Sequence, residues 1–237
     1  MDTKARDRAA RLAAARDALG TRLAGRHVET DAIVDLLHAV LKPGDRVCLE
    51  GNNQKQADFL AKALVRLDPA RVHDLHMVQS VLALPEHLDV FERGIAGLLD
   101  FSFSGPQGAR LAKLLSAGRL KIGAIHTYLE LFARYFVDLT PKVSLIAAQA
   151  ADIHGNLYTG PNTEDTPAIV EATAFSGGIV IAQVNELLPE GTALPRVDVP
   201  ADWIDFVVRA PTPNVIEPLF TRDPAQISET LGVRSTK

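Results

Sequence analysis

The stretch "DRVCLEGNNQKQADFLAKAL", residues 45–64, opens with a short apolar run, turns at a glycine and closes on a helical pattern with Leu60 and Leu64 one turn apart. Strand, tight turn and helix in that order is the unit from which parallel sheets are built. As a dinucleotide-binding turn it fails, because Gly51 is its only glycine and the G-x-G-x-x-G spacing is absent. Amides stand there instead. Asn53 reads as the N-cap of a helix starting at Gln54, with Gln56 placed to complete a capping box. Capping does not account for Gly51 and Asn52, which fall on the lip between strand and helix. Backbone N–H groups at a helix N-terminus, joined by side-chain amides, form a donor cluster suited to a carboxylate or an oxyanion. Being neutral, Asn52, Asn53 and Gln54 can stabilise developing negative charge without trapping an anion as a lysine would.

Outward from this unit the same alternation repeats. Strand-like runs occupy 46–50, 72–78, 98–103, 120–125, 143–149, 178–184 and 204–208. Helical patterns lie between the early ones, and "DAIVDLLHAVL" (31–41) precedes the first, ending at Pro43 and Gly44. In "TYLELFARYFVDL" the apolar stripe is Leu129, Phe132, Phe136 and Leu139. Near-continuous apolar strands alternating with helices predict an α/β fold: an open, mainly parallel sheet with helices on both faces.

Composition narrows the partners. A net charge of −4 over 237 residues gives no reason to expect nucleic acid or an anionic membrane. No apolar run is long enough to span a bilayer and no signal-peptide core follows Met1, so a cytoplasmic setting is expected. The lone Cys48 excludes an internal disulfide and reads as a small buried apolar residue. Residues 1–26 carry seven Lys/Arg against three Asp, and the Ala-rich, basic segment 1–30 reads as a solvated or partner-docking helix.

In open parallel sheets ligands sit beyond the C-terminal ends of the strands. That rule selects residues 50–54, 102–107 with Ser104, 126–127 and 152–156; Asn162 lies in the loop that follows, and Glu186 also falls at a strand end. Ser104 also reads as a helix cap before Pro106, and His126 follows "KIGAI" at a strand end. Asn156 belongs to the turn "DIHGN", Asn162 to the loop "GPNTEDTPA", and Glu186 to the strand end "VNEL". His73, His76 and His87 lack metal-ligand spacing, and no metal is expected.

These blocks occur in a familiar order. From "PGDRVCLEGNNQKQADFL" through "LLDFSFSGPQ", "IGAIHTYLEL", "DIHGNLYTGPNTEDTPA" and "GIVIAQVNEL" to "IEPLFTRDP", the chain resembles the α subunit of malonate decarboxylase. It is similar, more distantly, to the citrate lyase α subunit and family I coenzyme A transferases. The resemblance implies a coenzyme A transferase-like (NagB/RpiA-like) domain over 31–225, a tail at 226–237, and a second α/β half that this chain lacks. It further implies an acyl-carrier-protein transferase that replaces acetyl by malonyl on the carrier thioester and releases acetate. No cofactor would be bound directly; the thioester would sit on a phosphopantetheine-type, dephospho-CoA-derived group of the carrier protein. Carrier protein, other decarboxylase subunits, malonate and acetate are the implied partners. In that frame Asn52, Asn53, Gln54 and Glu50 are the candidate catalytic residues. Gly51, His126, Asn156, Asn162, Glu186 and Ser104 are candidates for substrate binding. The alternative is a non-catalytic docking module of the decarboxylase complex.

Overall fold

Ten strands form one sheet in the computed structural model, which describes residues 3–52, 54–163 and 165–217. They are β1 (Leu23–Ala24), β2 (His27–Val28), β3 (Arg46–Leu49), β4 (Leu75–Val81), β5 (Ala96–Phe103), β6 (Lys121–Ile125), β7 (Val143–Ala151), β8 (Leu157–Tyr158), β9 (Ile179–Leu187) and β10 (Phe206–Arg209). Their order is β1-β2-β10-β9-β7-β3-β4-β5-β6, with β8 added to β7. Every pairing is parallel except β1 with β2 and β7 with β8. The chain runs from β3 outward to β6, then returns to lay β7 on the other side of β3. This reversal makes the gap between β3 and β7 the switch point where a crevice opens in such sheets.

Seven helices are described: α1 (Thr3–Leu19), α2 (Ile33–Val40), α3 (Asp58–Val65), α4 (Glu86–Glu92), α5 (Gly108–Ser116), α6 (Tyr128–Val137) and α7 (Thr166–Phe175). Strand residues alternate between faces. Val47, Leu49, Met77, Leu99 and Leu145 join a core with Leu36, Leu60, Leu64 and Phe91 from α2, α3 and α4. Cys48, Val78, Ile146 and Val180 face the other way, toward Leu131 and Tyr135 of α6 and Ile169 of α7. Complete burial of a Leu such as Leu60 contributes roughly 1.5–3 kcal/mol.

The N-terminal segment is built into this body. Arg8 pairs with Asp205, and buried Arg11 donates to Asp45 and to the Val40 carbonyl, so α1 is fastened along α2. Strands β1 and β2 extend the sheet beside β10. Two local expectations are corrected. Helix α3 begins at Asp58, not Gln54, so residue 53 is not at its cap position; the residue before the helix is Ala57. In α6 the buried face is Leu131 and Tyr135, whereas Leu129 is 82% and Phe136 51% exposed. Of the expected stripe, Phe132 and Leu139 still pack against this core, while Leu129 and Phe136 turn outward. Residues 226–237 lie outside the described residues.

Candidate active site

Strand β3 ends in a tight loop whose two sides meet at a bridge between Gly51 and Gln56. Glu50, at the strand tip, is buried and its carboxylate is fully engaged. Oε2 accepts from the Ala147 amide of β7 at 2.7 Å, and Oε1 accepts from the Thr166 hydroxyl and lies 3.0 Å from Lys55 Nζ. Lys55 has no exposed surface at all; Nζ also donates to Thr166 Oγ1 and to the Asn162 carbonyl at 3.2 Å. Three donors meet three acceptors, which is what makes a buried ammonium tolerable. The loop is thereby pinned to β7 and to the start of α7.

Asn52 acts inside the loop. Its Oδ1 accepts from the amides of Gln54 (2.7 Å) and Lys55 (2.8 Å), while its own N–H donates to the Lys55 carbonyl at 2.9 Å. The Gln54 and Lys55 backbone donors are therefore committed to the turn, which corrects the expectation of a backbone donor cluster at this helix start. Asn53 lies outside the described residues. Gly51 sits in close quarters: a Cβ there would meet the end of the Gln56 side chain and lie 3.0 Å from Cε1 of His87. His87 is buried, and desolvation brings its pKa down to about 4 despite the bond to the Val81 carbonyl. The ring stays neutral, with Nδ1–H donating to that carbonyl and Nε2 without a hydrogen-bond partner among the described residues.

Asn162, four residues before α7, is fully buried, and neither atom of its side-chain amide has a hydrogen-bond partner among the described residues. Its carbonyl is the group held by Lys55. Alongside, the Ser80 hydroxyl donates to Asp165, and Cys48 Sγ donates to Tyr135 Oη at 3.7 Å. Burial pushes both the Cys48 thiol and the Tyr135 phenol upward, so neither is a nucleophile near neutral pH.

Glu50, Gly51, Asn52, Gln54 and Asn162 are thus brought together. His126, Asn156, Ser104 and Glu186 are not. His126 Nε2 bonds Asp100 at 2.7 Å and its Nδ1 lies 3.2 Å from Glu130. Asp100 also takes a bond from His76 Nε2 at 2.6 Å, and Gly123 leaves room for it where a Cβ would collide. Asn156 closes the turn between β7 and β8 by donating to Asp152 at 2.7 Å and accepting from the Ala201 amide at 2.8 Å. Ser104 precedes a 3-10 turn and makes no capping bond with its side chain, contrary to the cap expected. Glu186 is exposed near the end of β9. Among the described residues no group of three His, Cys, Asp or Glu side chains is placed to hold a metal ion. Nor is any described helix long and apolar enough to cross a membrane.

Sequence reasoning missed Lys55 and Thr166. The available signal was the pairing of Glu50 with Lys55 across the loop, hidden by reading 54–64 as continuous helix.

A family model described as malonate decarboxylase, alpha subunit, transporter, matches residues 1–234. The chain belongs to the malonate decarboxylase α-subunit family. An acetyl-S-ACP:malonate ACP transferase of Malonomonas rubra is 60% identical over 197 residues, which are 83% of this chain and 35% of that protein. A chain of a Pseudomonas malonate decarboxylase hetero-tetramer, solved in complex with malonate, superposes with a TM-score of 0.87 at 56% identity. That match covers 94% of this chain and 40% of the other. The α subunit from Acinetobacter baumannii gives 0.85 at 52% identity, covering 90% and 39%. This member of the malonate decarboxylase α-subunit family therefore spans well under half the length of these relatives. At fold level alone it is similar to glutaconate coenzyme A-transferase of Acidaminococcus fermentans, with a TM-score of 0.62 at 14% identity over 78% of this chain and 76% of that one.

Proposed function

We propose that this chain supplies the β3–α3 side of an acyl-carrier-protein transferase site, at which malonyl replaces acetyl on the carrier thioester and acetate is released. The carrier's phosphopantetheine-type thioester and malonate are then the substrates, and the carrier protein and other decarboxylase subunits are the partners, in a cytoplasmic setting. In this chemistry a malonate oxygen attacks the acetyl carbonyl and the carrier thiolate leaves, giving a mixed anhydride. The thiolate then attacks the malonyl carbonyl and expels acetate. Each attack passes through a tetrahedral oxyanion that needs preorganised neutral donors.

The buried Asn162 amide is the observation that carries this reading. Leaving such groups unsatisfied costs about 1–3 kcal/mol, a cost that a donor aimed at a reacting oxygen would justify. Glu50 and Lys55 hold the loop rather than react, since their charges cancel in a closed network. The decisive experiment is acyl exchange in the assembled complex with Asn162→Ala. The bond from Lys55 goes to the main chain and survives the substitution. We expect kcat/KM to fall about 10²-fold with no loss of melting temperature; an unchanged rate overturns the assignment.

One observation favours the docking-module alternative: the outer stripe of α6, with Leu129 82% and Val137 78% exposed. Tight co-purification with decarboxylase subunits, without any thermal stabilisation by malonate, would decide for it.

A further inference from the structure

Residues 211–217 follow β10 and form neither helix nor strand, yet they are tied down at several points. Asn185, near the end of β9, grips the backbone of Asn214 from both sides. Asn214 N–H donates to Asn185 Oδ1 at 2.7 Å, and Asn185 Nδ2 donates to the Asn214 carbonyl at 2.8 Å. The same Nδ2 donates to Gln149 Oε1 at 3.1 Å, which fixes the orientation of the amide. From there Asn214 Nδ2 donates to the Gln56 carbonyl, and Glu217 N–H donates to the Gln54 carbonyl at 2.9 Å. Between these two points Ile216 passes over Gly160, where an added Cβ would lie 3.6 Å from Ile216 Cγ2 and 3.0 Å from Gln149 Cβ. The segment is a strap that leaves the β9–β10 side of the sheet and ends on the loop after β3.

The loop is consequently gripped from two directions. Inside, Lys55 is fixed to Glu50, Thr166 and Asn162. Outside, the strap takes the carbonyls of Gln54 and Gln56, the residues on either side of Lys55. We propose that Asn185 is a positioning residue for the transfer site: acting through Asn214, it sets the Gln54–Gln56 backbone and with it the placement of the Asn52 and Asn162 amides. The inference rests on the transferase reading above. Its chemistry demands an amide at 185, because one group must accept from Asn214 N–H and donate to both Asn214 O and Gln149. Aspartate retains only the acceptor, and alanine neither.

The test compares Asn185→Asp, Asn185→Ala and Asn214→Ala with the parent chain in the assembled complex. Amide hydrogen exchange at residues 52–57 and the kinetics of acyl exchange are read together. All three variants should speed exchange in the loop about tenfold or more. They should lower kcat by roughly tenfold to a hundredfold with a smaller change in the KM for malonate, and leave the melting temperature within about 3 °C of the parent. A fully active parent whose variants show a loosened loop with unchanged kcat overturns the positioning role, as does a loop that exchanges no faster. A parent complex that performs no acyl exchange is a different failure, since it removes the transferase reading itself and the proposal with it. Loss of kcat accompanied by an equal collapse in melting temperature for all three variants would also overturn it, marking the strap as merely structural.

Discussion

Lys55 shows how a residue without a signature can govern a site. Five residues after Glu50, in a run of amides, it looks like a solvated cation, but the loop folds its side chain inward onto Glu50, Thr166 and Asn162. Removing one member of such a pair leaves a buried charge without its counterion. Lys55→Met is expected to cost about 3–5 kcal/mol by urea denaturation, and adding Glu50→Gln should return part of it; equal losses in the single and double variants would refute the coupling. The Glu50–Asn52 cluster was legible because a strand tip at a sheet reversal is where ligands bind, whatever the motif. His126 and Asn156 sat at strand tips too and were drawn elsewhere. The charge of Asp100 inside the sheet turns His126 back from the end of β6, and the hairpin after β7 uses both ends of the Asn156 amide. Neither force can be read from position along a strand.

At the scale of elements, strand positions were legible and helix edges were not. Apolar runs such as "VSLIAAQ" lie between covered faces and admit little else. The start of α3 depends on a distant residue. Gln183 on β9 accepts from the Leu60 amide at 3.0 Å and donates to Asp58 at 3.0 Å, so the first turn of the helix is held from across the sheet. Helix α6 has the opposite ambiguity, with apolar spacing on two faces. Its cap at Thr127, which accepts from the Glu130 amide at 3.2 Å, fixes the start but not which face turns inward. Leu131→Ala should cost about 2–5 kcal/mol, whereas Leu129→Ala should stay within about 0.5 kcal/mol in the isolated chain. Chemical denaturation of the two variants side by side checks this, and equal losses would contradict the packing described.

For the molecule as a whole, the fold class followed from the alternation of strand and helix, since that order leaves few ways to cover both faces of a sheet. The additions at the edge were not visible. Strands β1 and β2 are two residues each, too short for any periodicity, and they hold their place through β10 and the ion pairs of α1. One consequence of burying His87 beneath the loop reaches the entire chain. The native imidazole titrates near 4, against 6.5 for the ordinary group. Below the higher value the unfolded ensemble gains a proton that the native state refuses. Its contribution is complete above about pH 6.5 and drains away as acidity rises toward the lower value, amounting to about 3 kcal/mol in all. Between about pH 7.5 and about pH 4.5 the parent chain should lose roughly 2–3 kcal/mol more unfolding free energy than His87→Gln, and parallel losses would show that this imidazole plays no part in acid sensitivity.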